Sequence, residues 1–325
     1  MKRLLDTPSL EASPGRIADF AELLAIKAAD KNASAQDVLS ALKRAGEGQE
    51  DEELEAPVEE AFEELATRRQ HTGGANALDP YEIEGDLLKL KKLKATTDHD
   101  LLYVFLLLAT RLNMLKEKVQ AGLDGTQLFE FLCLEIAKRY WGASSKDALI
   151  ARRVHGAVFG TSRAAWRSDP AAEFKREGFQ DAVSSLCREL REGDRFRTKD
   201  GRDEVTANDD KLDVVVWKNF SDQRPAKLIG FGQCKTGDHW ELELPRLNPT
   251  TFCHRWLHDV PCVIPVKLFF LTDRVVERWK TRCYEAGILF DRCRIIDYAD
   301  EVPAELVAQC ATWARAGLAS HDLHW

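Results

Sequence analysis

No segment of this chain is apolar for long enough to cross a lipid bilayer. The longest apolar run covers residues 101–109, whereas a membrane-spanning helix needs about 20 apolar residues. The N-terminus also lacks the basic, apolar and small-residue regions of a secretory signal peptide. We therefore expect a cytoplasmic protein that does not bind a membrane.

Cys-x-x-Cys pairs are also missing, although the chain contains eight cysteines. The cysteines are scattered through apolar segments, which indicates buried thiols in a reducing compartment and not a disulfide framework. One local cluster brings Cys253, His254, His258 and Cys262 within ten residues. Its spacing matches no standard zinc finger, so zinc binding is only an alternative for this segment.

Several common catalytic signatures are absent. The sequence contains no Walker A loop, no Rossmann glycine set, no His-Glu-x-x-His motif and no Gly-x-Ser-x-Gly elbow. These absences disfavour an ATP-driven motor, a nicotinamide-dependent enzyme and a serine hydrolase.

The chain does contain enough apolar residues for about two globular domains, since 44% of its 325 residues are hydrophobic. Residues 1–122 show helical spacing of apolar residues and predict an all-α N-terminal domain with an interaction or regulatory role. Within this region, residues 47–64 hold ten acidic residues and no basic one. They predict one acidic helix, whose charged face is either solvated or a surface for a partner.

From residue 123 to residue 325 the pattern is that of an α/β domain. Apolar residues with helical spacing at residues 126–140 are followed by two short apolar runs, the first of them rich in β-branched residues. Beyond these runs, predicted strands alternate with predicted helices up to residue 316. This order predicts a sheet with helices packed on its faces.

The two apolar runs, residues 212–217 and 227–234, predict a β-hairpin, because the polar residues between them are typical of a turn. Folding the hairpin about its middle places Asp213 opposite Gln233. Gln233 and Lys235 are two residues apart and therefore point to the same face of their strand. The hairpin thus predicts a carboxylate, an amide oxygen and an ammonium group at one end of the sheet.

This cluster has a use in phosphodiester chemistry. Asp213 and Gln233 offer carboxylate and amide oxygens, which are ligands for a hard divalent cation such as Mg²⁺. A bound cation can lower the pKa of a water molecule and neutralise charge on a phosphate. Lys235 can orient that water or stabilise the negative charge that develops.

With these residues in this order, the hairpin resembles the PD-(D/E)XK nuclease superfamily. It is most similar to the Mrr-like restriction endonucleases, in which Gln-x-Lys replaces acid-x-Lys. The resemblance rests on Asp213 and on the tripeptide Gln233-Cys234-Lys235, and it covers roughly residues 126–316. It implies a restriction-endonuclease-like α/β/α core with a mixed sheet. It also implies a DNA endonuclease that depends on Mg²⁺ or Mn²⁺ and acts in restriction or in defence against phage, although the second carboxylate of the superfamily's main pattern is missing here.

The resemblance further implies an acidic residue on the helix that precedes the hairpin. Glu130 matches this position in the order of elements and is the candidate accessory metal ligand and catalytic residue. Glu135 on the same helix is its rival. A surface carboxylate without a catalytic role is the alternative for either residue.

Residues 138–202 carry the basic charge that DNA binding would need. They contain 15 lysines and arginines and nine acidic residues, in a chain whose net charge is −8. A local excess of this kind favours contacts with the phosphate backbone of double-stranded DNA. The residues that we expect to make these contacts are Arg152, Arg153, Arg163 and Arg167.

Two other interpretations stay open. A charged residue at a strand end is commonly solvated, so the hairpin could be purely structural. The chain could also be a catalytically degenerate module that keeps a nuclease fold in order to bind DNA or a partner protein. We expect the N-terminal helices to mediate dimerisation or to bind a partner from the same defence system.

Overall fold

A computed structural model gives the structure of most of the chain. It describes residues 4–9, 12–45, 51–72, 81–90, 97–144, 146–159, 178–197, 210–237 and 239–324.

The centre of the molecule is a five-stranded mixed sheet with the strand order β10-β9-β8-β7-β6. Its strands are β6 (Val154–Val158), β7 (Val214–Lys218), β8 (Leu228–Lys235), β9 (Val266–Leu271) and β10 (Ile288–Phe290). The first three strands pair antiparallel, whereas β8, β9 and β10 run parallel to one another. The sequence prediction of an α/β protein with a mixed sheet is therefore confirmed.

Helices cover both faces of this sheet, because alternate residues of each strand point to opposite sides. On one face, Val214 and Val216 pack in the same apolar cluster as helix α5 (Gly125–Tyr140). On the other face, Val215 and Trp217 pack with the helices α7 (Phe179–Leu190) and α8 (Pro249–Trp256). Helix α5 begins where the side chain of Asp124 accepts hydrogen bonds from the backbone amides of Thr126 and Gln127. The sheet is therefore buried on both sides.

The remaining helices pack around this core. They are α1 (Pro14–Lys27), α2 (Ala35–Ala45), α3 (Asp51–His71), α4 (Asp100–Arg111), α6 (Ala148–Ala151), α9 (Trp279–Ala286), α10 (Arg292–Asp297) and α11 (Ala304–Ala319). The described part of the acidic segment, from residue 51 onward, lies in α3, as predicted.

The N-terminal region is not all-α, so that part of the fold prediction is wrong. It contains a three-stranded antiparallel sheet made of β1 (Asn32–Ser34), β2 (Tyr81–Glu84) and β3 (Leu87–Leu90). Strands β2 and β3 form a hairpin with a two-residue turn whose first residue, Gly85, has a φ of +62°. A second, two-stranded ribbon, β4 (Val119–Gln120) with β5 (Leu123–Asp124), precedes α5. Strands this short show too few apolar alternations to be distinguished from helical turns in the sequence.

One apolar cluster extends across residue 122, the predicted domain boundary. It contains residues 101–109 of α4 and also Leu132 of α5, Leu268 of β9 and Trp313 of α11. Ring contacts reinforce this packing, since Phe105 and Trp313 meet edge to face with centroids 5.2 Å apart. The domain boundary stays a prediction, but residues on both sides of it belong to the same large apolar cluster.

A buried ionic network also joins the N-terminal helices to the C-terminal half. Asp19 of α1 accepts two hydrogen bonds from Arg292 of α10, at 2.8 and 3.1 Å, and one from Arg68 of α3 at 2.7 Å. All three side chains are buried, with both arginines at 0% exposure. Burial acts to raise the pKa of Asp19, but the charges of Arg292 and Arg68 outweigh it and hold the pKa below its ordinary value.

Strand β8 approaches its neighbours closely because two of its residues are glycines. A Cβ atom at Gly232 would lie 2.4 Å from Val214 Cγ2 and 3.1 Å from Phe270 Cε2. A Cβ atom at Gly230 would lie 2.9 to 3.0 Å from Trp141, Leu268 and Val216. The close backbone approach that the sequence suggested at these positions is therefore present.

We expect Gly232→Ala to destabilise the protein by about 1–3 kcal/mol, because the added methyl group overpacks a filled core. The measurement is the urea midpoint of unfolding. Gly317→Ala is the matched control, since a Cβ there meets its nearest atom at an ordinary 3.5 Å inside helix α11. A variant at Gly232 as stable as the one at Gly317 would contradict the tight packing.

Candidate functional site

The hairpin of β7 and β8 has the register that the sequence predicts. Val214 pairs with Gly232, and the backbone amide of Asp213 donates to the carbonyl of Gly232 at 2.9 Å. One step further along this register, Asp213 lies opposite Gln233. Lys235 ends the same strand two residues later. Because opposite residues in an antiparallel pair share a face, the three side chains start from one side of the sheet.

The carboxylate of Asp213 is held in place by the neighbouring strand. The residue is 9% exposed, and its Oδ2 accepts a hydrogen bond of 2.7 Å from the backbone amide of Cys234. The carbonyl of Asp213 accepts from the amide of Phe159 at the end of β6. Three adjacent strands therefore fix the position of this carboxylate.

The side chain of Gln233 is the most unusual feature of the site. The residue is 0% exposed, and neither its side-chain oxygen nor its side-chain nitrogen has a hydrogen-bond partner among the described residues. Leaving a buried amide unsatisfied costs about 1–3 kcal/mol for each group. A cation could satisfy the amide oxygen, whereas the amide nitrogen needs an acceptor such as ordered water. The residues therefore fit a hard cation held between Asp213 and Gln233.

Lys235, the last residue of the motif, forms an ion pair. Its Nζ lies 3.2 Å from Oε2 of Glu243, which belongs to a short 3-10 helix, Glu241–Glu243. The other oxygen of Glu243 lies 2.8 Å from Nη1 of Arg246. Glu243 was not predicted from the sequence, because a loop glutamate eight residues after the lysine is indistinguishable there from a solvated one.

The structure separates the two glutamates of α5. Glu135 is buried and binds Lys138 at 3.0 Å and Arg139 at 2.7 Å, so it has a structural role. Glu130 lies nearer the hairpin. Burial raises the pKa of the Cys234 thiol, and the charges of both Asp213 and Glu130 raise it further. Glu130 lies on α5, which packs on the face of the sheet opposite to the one from which Gln233 and Lys235 start, so its role as an accessory ligand stays a prediction.

A second group of possible metal ligands lies elsewhere. In the described ranges, a single set of three His, Cys, Asp or Glu ligand atoms falls within 4.8 Å of one another, namely Asp194, His258 and Asp259. All three are exposed, and His258 Nδ1 lies 3.3 Å from Asp194. The zinc alternative is not supported, because Cys253 is buried in the apolar cluster of α7 and α8 while Cys262 is exposed. Asp213 and Glu130 do not belong to such a set, so water or a substrate phosphate must complete any coordination at the hairpin.

Asp210, which precedes the hairpin, is engaged in structural contacts. Its Oδ2 accepts a hydrogen bond of 2.6 Å from Nε1 of Trp256 and lies 3.3 Å from Nη1 of Arg255. These contacts anchor the start of the hairpin to α8.

The two described arginines of the predicted DNA contacts lie at the far end of the sheet. The carbonyl of Arg153 accepts from the amide of Asn219, and its guanidinium donates to Ser221 at 2.9 Å. Arg152 precedes it and is exposed. From there to the Asp213 end, β6 spans five residues, or roughly 17 Å. Arg163 and Arg167 lie outside the described residues.

Comparison with family models, with curated proteins and with solved structures finds no match to this chain. Fold and site define an α/β protein whose mixed sheet carries a buried acid–amide pair beside a lysine. None of the helices in the described ranges is both long and apolar enough to cross a membrane.

Proposed function

We propose that this protein is a metal-dependent DNA endonuclease of the restriction-endonuclease-like fold, of the Mrr-like type, that acts in restriction or phage defence. The observation on which the proposal rests is the fully buried amide of Gln233, which has no hydrogen-bond partner in the described structure and lies opposite Asp213. The order of elements agrees with it, since helix α5 precedes three antiparallel strands that continue into parallel ones.

The side chains of the hairpin have distinct roles in this proposal. Asp213 and Gln233 hold Mg²⁺ or Mn²⁺, and Glu130 is an accessory ligand. When bound, the cation supplies a water molecule of lowered pKa and neutralises charge on the phosphate. Lys235 directs its ammonium group toward the phosphate oxygens, where negative charge develops in the transition state. Glu243 holds that ammonium group in place from its other side.

The proposed substrate is double-stranded DNA. Arg246 is half-exposed beside Glu243, close enough to the site to meet a phosphate there. Arg152 and Arg153 lie roughly 17 Å away along the strand, a distance that corresponds to about five base-pair steps of B-DNA. They would therefore contact the backbone of the same duplex away from the scissile bond.

A binding module without catalytic activity is the second candidate. The observation that favours it is charge, since the hairpin contributes one carboxylate to the site and Lys235 is neutralised by Glu243. A site with a single carboxylate binds divalent cations weakly. Such a protein would bind DNA or a partner without cutting.

The experiment combines metal binding with cleavage by the purified full-length chain. We expect calorimetric titration with Mn²⁺ to show one site, and plasmid or phage DNA, modified and unmodified, to be cut with Mg²⁺ or Mn²⁺ but not with excess EDTA. DNA binding without any cutting under all these conditions would favour the binding module. A protein that neither binds Mn²⁺ nor cuts DNA would overturn the nuclease proposal.

A further inference from the structure

A cavity of about 600 Å³ opens beyond the carboxyl ends of the parallel strands β9 and β10. Its polar lining includes His71 at the end of α3, Arg274 after β9, and Arg294 and Asp297 of α10, while Trp279 at the start of α9 supplies an aromatic wall. Small-molecule sites have volumes of about 300–1,000 Å³, and in α/β sheets they lie outside the carboxyl ends of the strands. The lining contains no residue of the proposed metal site, so the cavity is a separate candidate for ligand binding.

The guanidinium group of Arg274 is fixed in the wall of this cavity. Its Nη1 lies 2.5 Å from Asp291 and its Nε lies 3.1 Å from Glu64. Its Nη2 donates to Nδ1 of His71 at 3.0 Å. Because an arginine can only donate, Nδ1 of His71 accepts this bond, and Nε2 carries the ring proton of the neutral imidazole. His71, which is exposed, therefore offers an N–H donor to a ligand.

Arg294 is a cation with unused hydrogen-bond donors. Its guanidinium carbon lies 4.4 Å from the ring centroid of Trp279, and its Nη1 donates to the carbonyl of Leu289 at 2.9 Å. A guanidinium group has five N–H donors, and the residues that the structure describes provide no other acceptor for them. Arg294 is exposed, so its remaining donors can bind an anion in the cavity.

Asp297 adds an acceptor to the same cavity. It lies three residues after Arg294 and is exposed. Within the described ranges, no protein donor forms a hydrogen bond with its carboxylate. A carboxylate only accepts hydrogen bonds and repels a simple anion. The cavity therefore favours a ligand that carries O–H or N–H donors as well as a negative charge.

We propose that this cavity is a binding site for a nucleoside monophosphate. The phosphate group contacts the N–H groups of Arg294 and His71, and Asp297 accepts from hydroxyl or amino groups of the nucleoside. The base lies against the apolar wall to which Val276 and Trp279 contribute. Inorganic phosphate lacks the ring, and a free nucleoside lacks the charge. This proposal does not rest on the proposed nuclease function, because it uses none of the hairpin residues.

The test is isothermal titration calorimetry of the full-length protein in excess EDTA. The probes are the four ribonucleoside 5′-monophosphates, their nucleosides and inorganic phosphate. EDTA excludes binding through a metal ion at the hairpin. We expect at least one monophosphate to bind at one site per chain, at least about tenfold more tightly than its nucleoside, because hydrogen bonds to a charged group are the stronger ones. It should also bind more tightly than inorganic phosphate, which cannot use the apolar wall.

Arg294→Gln removes the available cation and should weaken this binding by about tenfold. The matched control is Arg282→Gln, since Arg282 makes a similar contact over the ring of Trp240, at 4.8 Å, and does not line the cavity. That variant should bind the monophosphate as tightly as the wild type. Urea unfolding of both variants verifies that they are folded.

Asp297→Asn tests the choice between a nucleotide and a simple anion. Removing this exposed charge should lower the preference for the monophosphate over inorganic phosphate by about two- to fivefold. Asp300→Asn is the control, because Asp300 is an exposed acid close in sequence that does not line the cavity. It should leave the preference unchanged.

The outcomes separate this inference from the proposed nuclease. A wild-type protein that binds no monophosphate at millimolar concentration overturns the inference and leaves the nuclease proposal intact. Inorganic phosphate that binds as tightly as every monophosphate contradicts the nucleotide class. Equal affinities in Arg294→Gln and Arg282→Gln mean that the nucleotide binds elsewhere, which also overturns the inference. Binding that Arg294→Gln alone weakens supports it, even in a protein that neither binds Mn²⁺ nor cuts DNA.

Discussion

Replacing Asp213 or Lys235 by alanine should lower metal-dependent DNA cleavage by a factor of at least about 10². Asp213 is the one carboxylate that the hairpin contributes, so its loss removes the principal cation ligand. Lys235 supplies a positive charge at the position where the phosphate becomes more negative, and losing such a group costs about 10²- to 10³-fold by itself. Initial rates on plasmid DNA at fixed Mn²⁺ measure the effect.

Controls for these variants come from the same hairpin. Asp222→Ala changes an exposed acid at the turn, at the opposite end of the strands from Asp213, and should cut DNA at the wild-type rate. Circular dichroism and urea unfolding should show that Lys235→Ala folds normally, because its ion pair with Glu243 is partly exposed and worth little. The proposed mechanism would be contradicted if Asp213→Ala and Lys235→Ala both cut DNA as fast as Asp222→Ala.

Gln233→Glu distinguishes a working site from a binding module. It restores a second carboxylate next to Asp213 and should tighten Mn²⁺ binding, because a carboxylate attracts a hard cation more strongly than an amide does. Its cleavage rate reports whether the neutral amide is required for turnover. Mn²⁺ affinity unchanged in both Gln233→Glu and Asp213→Ala would mean that the cation binds elsewhere, for example at Asp194, His258 and Asp259.

Replacing Arg292 by methionine should destabilise the fold by about 3–5 kcal/mol. The substitution keeps most of the volume of the side chain but removes the bidentate partner of Asp19, which then stays buried with Arg68 as its remaining close cation. Removing one member of a buried ion pair leaves an uncompensated charge in a medium of low dielectric constant. Urea unfolding at neutral pH measures the loss.

The matched control is an exposed ion pair of similar length. Arg315 binds Asp98 at 2.6 Å, and both side chains are about half exposed. Arg315→Met should therefore change the free energy of unfolding by less than about 1 kcal/mol. Equal losses in the two variants would show that burial of the network around Asp19 is unimportant. A large loss at Arg292 alone would show that helix α1 is part of the same folding unit as α10.

Several elements were predictable from the sequence because their causes are local. The β-branched run before the turn and the glycines after it specify the hairpin and its register, and with it the positions of Asp213 and Gln233 on one face. Helix α5 has both a regular apolar face and a capping aspartate. Apolar residues keep helical spacing through the acidic segment, so helix α3 was predictable as well.

Other features were decided only by the tertiary structure, because they join residues that are far apart in the chain. Asp19 and Arg292 are 273 residues apart, and only the tertiary structure brings their side chains within hydrogen-bond distance. Glu135 was distinguished from Glu130 by its contacts with Lys138 and Arg139. Asp210 forms a hydrogen bond with Trp256, which is 46 residues further along the chain. Glu243 forms an ion pair with Lys235 from a 3-10 helix that no local sequence pattern predicts. The sequence by itself determined which side chains the hairpin presents, and the tertiary structure decided which charges accompany them, because Coulomb energies depend on distance and burial and not on position along the chain.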